Sequence, residues 1–179
     1  MKTVHTAICS ILAILVSQGR AISDILTLPT TGDAYIEEAR ATLVLPKLPD
    51  SVKGDLAIRS GIMMNDKETF IQGVASNSAT GSYCNDGGKK WCTFAYTMTG
   101  KGQVGNAFYL SILCADGNAC AELPAHSWKD VSVVLNKADK DFGRSKALNF
   151  GATGGDMTTT DGGKTWKFET IKVPAQKAS

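Results

Sequence analysis

The stretch 155–168, Gly-Asp-Met-Thr-Thr-Thr-Asp-Gly-Gly-Lys-Thr-Trp-Lys-Phe, constrains this chain more than any other. It reads as a β-hairpin with its turn chemistry written out. The Asp161 carboxylate is placed to accept hydrogen bonds from backbone N–H groups just downstream. Gly162 and Gly163 supply the positive φ that a tight hairpin turn needs, and Trp166 opens the returning strand. A weaker copy stands at Asn85-Asp86-Gly87-Gly88-Lys89-Lys90-Trp91. In both, Asp86 or Asp161, the second glycine (Gly163 in the stronger copy) and the tryptophan are expected to build a turn rather than do chemistry. A chain with two such turns is set up to fold from strands.

The N-terminus is read separately from the fold. Lys2 and His5 precede the apolar run 7–16, and small residues follow at Gly19 and Ala21. This is the layout of a secretory signal peptide spanning 1–21, too short for a membrane-spanning segment. Its removal takes Lys2 and Arg20 from the 19 basic residues and nothing from the 17 acidic ones, which leaves the remainder neutral. Without a Lys/Arg cluster interleaved with aromatics, nucleic acid is not an expected partner. A membrane is not one either, once the signal is gone.

The four remaining cysteines suit an oxidising compartment. Three pairings are open to them, and proximity favours Cys84–Cys92 and Cys114–Cys120, each closing a short Gly/Asp turn. Zinc sites show tighter spacing, so no metal is expected there. The expectation is a secreted protein with one domain over 22–179.

Along the chain, 22–34 lacks pattern and reads as a loose N-terminal arm. A β-branched run ending at Pro46 reads as a strand over 40–45. The segment 54–64 alternates, with Asp55, Ala57, Arg59, Gly61 and Met63 on one side and Leu56, Ile58, Ser60, Ile62 and Met64 on the other. The turn 65–68 and the strand 69–76 complete a hairpin. Further strands are expected over 91–99, 106–114, 129–136 and 167–173. The stretch 137–155 reads as a long loop with a short helical turn near Lys140, and loops of that length are usually functional or disordered. Many short strands and no amphipathic helix predict an antiparallel β-sandwich, with a jelly roll as first choice.

Three resemblances bear on this. The Ser/Thr-x-Asp-x-Gly-x-Thr-Trp pattern around Asp161 resembles the Asp-box of sialidases and other secreted β-proteins, a folding device. The segments Leu43-Val44-Leu45-Pro46-Lys47-Leu48-Pro49 and Pro124-Ala125-His126-Ser127-Trp128 resemble parts of small secreted fungal proteins with concanavalin-A-like sandwiches. That resemblance implies a sandwich associated with glycans, as in lectins, glucanases and polysaccharide lyases. The segment 100–105 is brief for the mid-domain strands of that group. Phe70-Ile71-Gln72-Gly73 resembles the glutamine-bearing strand of alginate-lyase-type jelly rolls.

The residues that suit chemistry follow from what elimination on a uronate requires. The sugar carboxylate must be neutralised, a task for Gln72 or Arg59, and the C5 proton must be taken by a base, Tyr96 or His126. Each has a plainer reading, as a hairpin residue or, for His126, as a loop histidine bonded to backbone. Trp128 is the candidate for stacking on a sugar, since Trp91 and Trp166 hold the tryptophan places of the two turns. Glycoside hydrolysis needs paired carboxylates across a cleft, and no E-x-D-x-x-E run occurs. Asp139-Lys140-Asp141-Phe142-Gly143 falls short of a calcium loop, and the Gly-Gly-Lys runs lack P-loop spacing. Neither a metal nor a cofactor is expected.

Two function classes stay open. One is a glycan-directed protein, a lectin-like binder or a lyase on a uronate-containing polymer. The other is a non-catalytic secreted effector or interaction protein, with a secreted cyclase or isomerase of a small molecule as a third reading.

Overall fold

A computed structural model describes residues 21–48, 54–78, 88–98, 102–115, 120 and 122–177. These form strands β1 (Ala21–Pro29), β2 (Ile36–Val44), β3 (Asp55–Met64), β4 (Phe70–Ser78), β5 (Cys92–Met98) and β6 (Gly105–Ala115), followed by β7 (Glu122–Leu123), β8 (His126–Leu135), β9 (Ala147–Leu148), β10 (Thr153–Gly154), β11 (Thr165–Val173) and β12 (Gln176–Lys177). The fold is nearly all β, and ten of the strands join one antiparallel sheet.

The sheet has two halves. One runs β9-β1-β6-β3-β4-β5 and the other β10-β11-β8-β2, and a single pairing, Ile36 with Gly105, links them. Within the first half β3, β4 and β5 follow one another as hairpins, and β6 returns to lie beside β3. The spatial order β6-β3-β4-β5 is a Greek key. One apolar core takes side chains from both halves: Ile25, Leu28, Ile58, Phe108, Leu110 and Ile112 from the first, and Val131, Val133, Leu135, Phe168 and Ile171 from the second.

The expected strands are present, with ends shifted by a few residues. The loose arm is not. The segment 21–29 is strand β1, and Ile25, Leu26 and Leu28 are fully buried in it. Its register shifts between Asp24 and Leu26, so two adjacent apolar residues both turn inward. That bulge removes the period-two signal from the sequence.

The stretch 137–155 is also better ordered than expected. A 3-10 turn, Phe142–Ser145, buries Phe142 completely, and β9 and β10 flank it. Its carboxylates Asp139 and Asp141, and Asp156 just after it, are already engaged. Asp139 accepts from Thr31 Oγ1 at 2.8 Å, Asp141 pairs with Arg144, and Asp156 pairs with Lys146 at 2.8 Å. The Asp139 bond to Thr31, with Ser145 Oγ donating to Pro29 O and Asn149 Nδ2 to Asp24 O, pins the segment to the body of the protein.

The turn at Asp161 is built as the sequence predicts. Asp161 Oδ1 accepts from Thr165 N at 2.8 Å, Lys164 N at 3.1 Å and Thr159 Oγ1 at 3.0 Å. These bonds hold its carboxyl down at about 2. Gly162 and Gly163 have φ of 75° and 103°. Trp166 is buried and donates Nε1–H to Gly163 O at 3.0 Å and Asp139 O at 3.2 Å. The expected β-hairpin is not formed: the arm entering the turn meets β11 at a single bridge, Thr158 with Lys167, so the turn is a latch on β11.

Cys114 and Cys120 are disulfide-bonded, with Cα atoms 5.9 Å apart. Cys92 is also disulfide-bonded. Cys84 and Asp86 lie outside the described residues, so the weaker turn is represented by its end. There Gly88 has φ 80°, and Asn77 Nδ2 donates to Gly88 O and Lys90 O. Trp91 is half-buried and donates to Pro46 O at 2.9 Å.

Candidate functional site

The face of β1-β6-β3-β4-β5 turned away from the core holds the candidate site. Paired residues on neighbouring antiparallel strands share a face. The registers therefore lay this face out in cross-sheet rows. Tyr96, Gln72, Gly61, Tyr109 and Thr27 make one. On one side of it lies an apolar row of Met98, Phe70, Met63, Ala107 and Pro29. On the other lies Phe94, Val74, Arg59, Ser111 and Asp24. Five strands about 4.8 Å apart make the face roughly 19 Å wide.

Two grooves mark this face. The larger, about 520 Å³, is lined by Asp24, Arg59, Lys67, Phe70, Gln72 and Tyr109 among others. The smaller, about 260 Å³, shares Arg59, Phe70 and Gln72 and adds Tyr96, Phe94 and Asp55. Gln72 is buried at 7% exposure, although it faces away from the core. A small second apolar cluster of Ala57, Val74 and Leu113, with Phe94 against it, underlies this side. Phe70 and Tyr96 form a tilted ring pair with centroids 5.6 Å apart, and Tyr96 is half exposed.

The central polar contact is Tyr109 Oη donating to Gln72 Oε1 at 2.8 Å. Tyr109 lies on β6 and Gln72 on β4, with β3 between them. The phenol crosses that strand over Gly61, where an added Cβ would sit 2.7 Å from Tyr109 Oη and 2.6 Å from Ile71 O. Burial raises the Tyr109 phenol to about 12, with Asp24 adding to the rise and Arg59 opposing it. Tyr109 therefore keeps its proton at ordinary pH.

Three of the four residues expected to act on a uronate, Arg59, Gln72 and Tyr96, stand on this face. His126 does not join them. It lies on β8 in the other half, buried, with Nδ1 3.0 Å from Pro124 O and its ring edge-on to Trp128. Burial lowers its pKa and favours the neutral ring, while the Pro124 contact pulls the other way. That is the plainer of its two readings.

Trp128 is not a surface stacking group. It is 3% exposed and belongs to the core, because its inward position on β8, registered against Leu43 of β2, faces the core. It reaches only the wall of an open cleft of about 380 Å³, with Leu43, Ile58, Gly73 and Ala75.

Tyr109 and Asp24 were not singled out from sequence, and Phe70 entered only as part of the segment Phe70-Ile71-Gln72-Gly73. The outer face of β6 carries Ala107 and Leu113 as well as Tyr109 and Ser111, which hides its period. The available signal was Gly61, since a glycine inside an alternating strand marks close approach of another group. No group of His, Cys, Asp and Glu suited to a metal ion occurs among the described residues, and no described helix is long and apolar enough to cross a membrane.

Compared with known families, curated proteins and solved structures, the chain matches no family model, no curated protein and no solved structure.

Proposed function

We propose that this is a secreted, glycan-associated β-sandwich of jelly-roll type that binds a uronate-containing polysaccharide on the outer face of β1-β6-β3-β4-β5. The observation that carries the reading is the gathering of Arg59, Gln72 and Tyr109, with the Phe70–Tyr96 ring pair beside them, along one grooved face. A guanidinium and an amide give donors for a carboxylate. Aromatic rings give apolar faces for sugar rings to stack on, and the width suits an extended oligosaccharide. The Cys114–Cys120 disulfide fits secretion, as does the apolar run at the N-terminus.

Binding is favoured over turnover. Elimination needs a base at the sugar, His126 is in the other half, and Tyr109 holds its proton tightly. Tyr96 is the phenol that remains on the face. The test is to titrate the secreted protein with oligo-uronates by calorimetry while following absorbance near 235 nm, where an unsaturated product absorbs. Saturable binding without a rise in absorbance, lost in Arg59→Ala, is the expected result. A rise that disappears in Tyr96→Phe would add lyase chemistry. Absence of binding across a broad glycan panel would remove the reading and leave a protein partner, the effector class, as the direction to pursue.

A further inference from the structure

Gln72 is an unusual residue to bury on the outer face of a sheet. Its carboxamide has one acceptor end and one donor end, and turning it by 180° exchanges them. Which end meets a ligand decides what the groove recognises. Oε1 is occupied by the Tyr109 hydroxyl at 2.8 Å. Nε2 has no hydrogen-bond partner among the described residues and is not among the side-chain atoms wholly withdrawn from solvent. Gln72 lines both grooves, so Nε2 is the end left for a ligand.

We propose that Tyr109 is a positioning residue: by donating to Gln72 Oε1 it holds the carboxamide with Nε2 toward the groove, which makes the site selective for carboxylate-bearing over neutral sugars. The inference rests on the glycan reading above for its ligand, and on the Tyr109–Gln72–Gly61 geometry for its mechanism. A phenol can reach across from β6 to β4 only where the intervening residue has no Cβ, and Gly61 stands at that crossing point. With Arg59 one row away, the fixed carboxamide sets a second donor beside the guanidinium, on the side of the grooves that Asp24 and Asp55 also line with carboxylates. A carboxylate accepts from both. A neutral sugar hydroxyl accepts as well, but without the charge that strengthens each bond. If the carboxamide were free to turn, its oxygen would face the carboxylate for part of the time.

The test compares a tetrameric oligo-uronate with the same oligosaccharide after its carboxyls are reduced to hydroxymethyl groups. Tyr109→Phe keeps the ring over Gly61 and removes only the hydroxyl. It is expected to weaken binding of the acidic ligand about two- to tenfold, the range set by loss of one ordinary hydrogen bond, and to leave the neutral ligand unchanged. Gln72→Glu puts an acceptor where the donor was, and is expected to abolish the preference for acid. Equal weakening of both ligands by Tyr109→Phe would reduce Tyr109 to a structural role and overturn the proposal, as would no change in either.

A second measurement is independent of any glycan. With ¹⁵N-labelled protein and sodium acetate as the carboxylate probe, the Gln72 side-chain amide signal is expected to shift in wild type and to shift less in Tyr109→Phe. Nuclear Overhauser contacts placing the Nε2 protons against the Tyr109 ring would show the opposite orientation and overturn the inference. Failure of the glycans to bind while acetate still shifts Gln72 would count against the glycan reading alone.

Discussion

The outer faces of the two halves of the sheet are built differently. On β2-β8-β11 the outward registers bring Arg40, Ser132 and Lys167 into one row and Glu38, Val134 and Thr165 into the next. Its charges are exposed, and Arg40 pairs with Glu38 on the same strand. On β1-β6-β3-β4-β5 the outward positions include buried Gln72, Ser76, Ser78 and Ser111, a second apolar cluster, and two grooves. A solvated sheet face needs only polar residues to keep it soluble. A face that buries polar side chains has given up their hydration, and such groups persist where they are hydrogen-bonded or serve a ligand. The difference points to the Gln72 face as the working one and to the Lys167 face as plain surface.

Mutations on the two faces should therefore separate sharply. Arg59→Ala is expected to weaken oligo-uronate binding about ten- to a hundredfold, the range for one charged hydrogen bond of roughly 1.5–3 kcal/mol. Lys167→Ala, also the loss of one cation, should leave the affinity within twofold. Calorimetry of both variants at one salt concentration checks the pair, and equal losses would mean that net charge rather than the groove binds the ligand.

A smaller effect belongs to Gly61. The added methyl of Gly61→Ala meets Ile71 O and the Tyr109 hydroxyl at 2.6 and 2.7 Å, and the backbone oxygen cannot swing away. Overpacking of this kind costs about 1–3 kcal/mol, so urea denaturation should show a lower midpoint, together with weaker acid binding. Gly155→Ala, whose new Cβ would meet nothing within 4 Å, is the control and should leave the midpoint unchanged.

The Asp161 turn gives an effect on stability without one on binding. Its carboxyl is held at about 2 in the folded protein, below its ordinary value of 3.8. A lowered folded-state pKa contributes stability that is present above 3.8 and lost as pH falls from there toward about 2. Asp161→Ala should lower Tm at neutral pH and flatten the acid limb of a Tm-against-pH curve, with glycan affinity unchanged at temperatures where the variant is folded. His126 should give the smallest effect. With its pKa lowered by burial, stability declines as pH drops below about 6.5, and His126→Gln should remove that decline.

These regions were unequally legible in the sequence. The Asp161 turn was readable to the residue because its bonds are local: a carboxylate, two glycines and a tryptophan within six positions. The β3–β4 hairpin was legible through alternation, which also put Arg59 and Gly61 on one side. Long-range pairing was not legible. That Tyr109 crosses Gly61 to reach Gln72 depends on β6 returning beside β3, and no clear period in 105–115 announces it, since Ala107, Tyr109, Ser111 and Leu113 on the outer face differ little from the apolar inner one. β1 was missed because its bulge breaks the alternation at Ile25 and Leu26. Trp128 is a stacking candidate only by elimination, because Trp91 and Trp166 hold the turn places, while its inward position on β8 decides its burial.

The most direct test of the central claim is to locate a bound oligo-uronate by chemical-shift mapping on ¹⁵N,¹³C-labelled protein. The account predicts that saturating ligand shifts the side-chain signals of Arg59, Gln72 and Tyr109 and the ring signals of Phe70 and Tyr96. Signals of Lys167, Ser132 and Arg40 should stay in place. Shifts confined to the Lys167 face, or to the cleft beside Trp128 and Leu43, would contradict it.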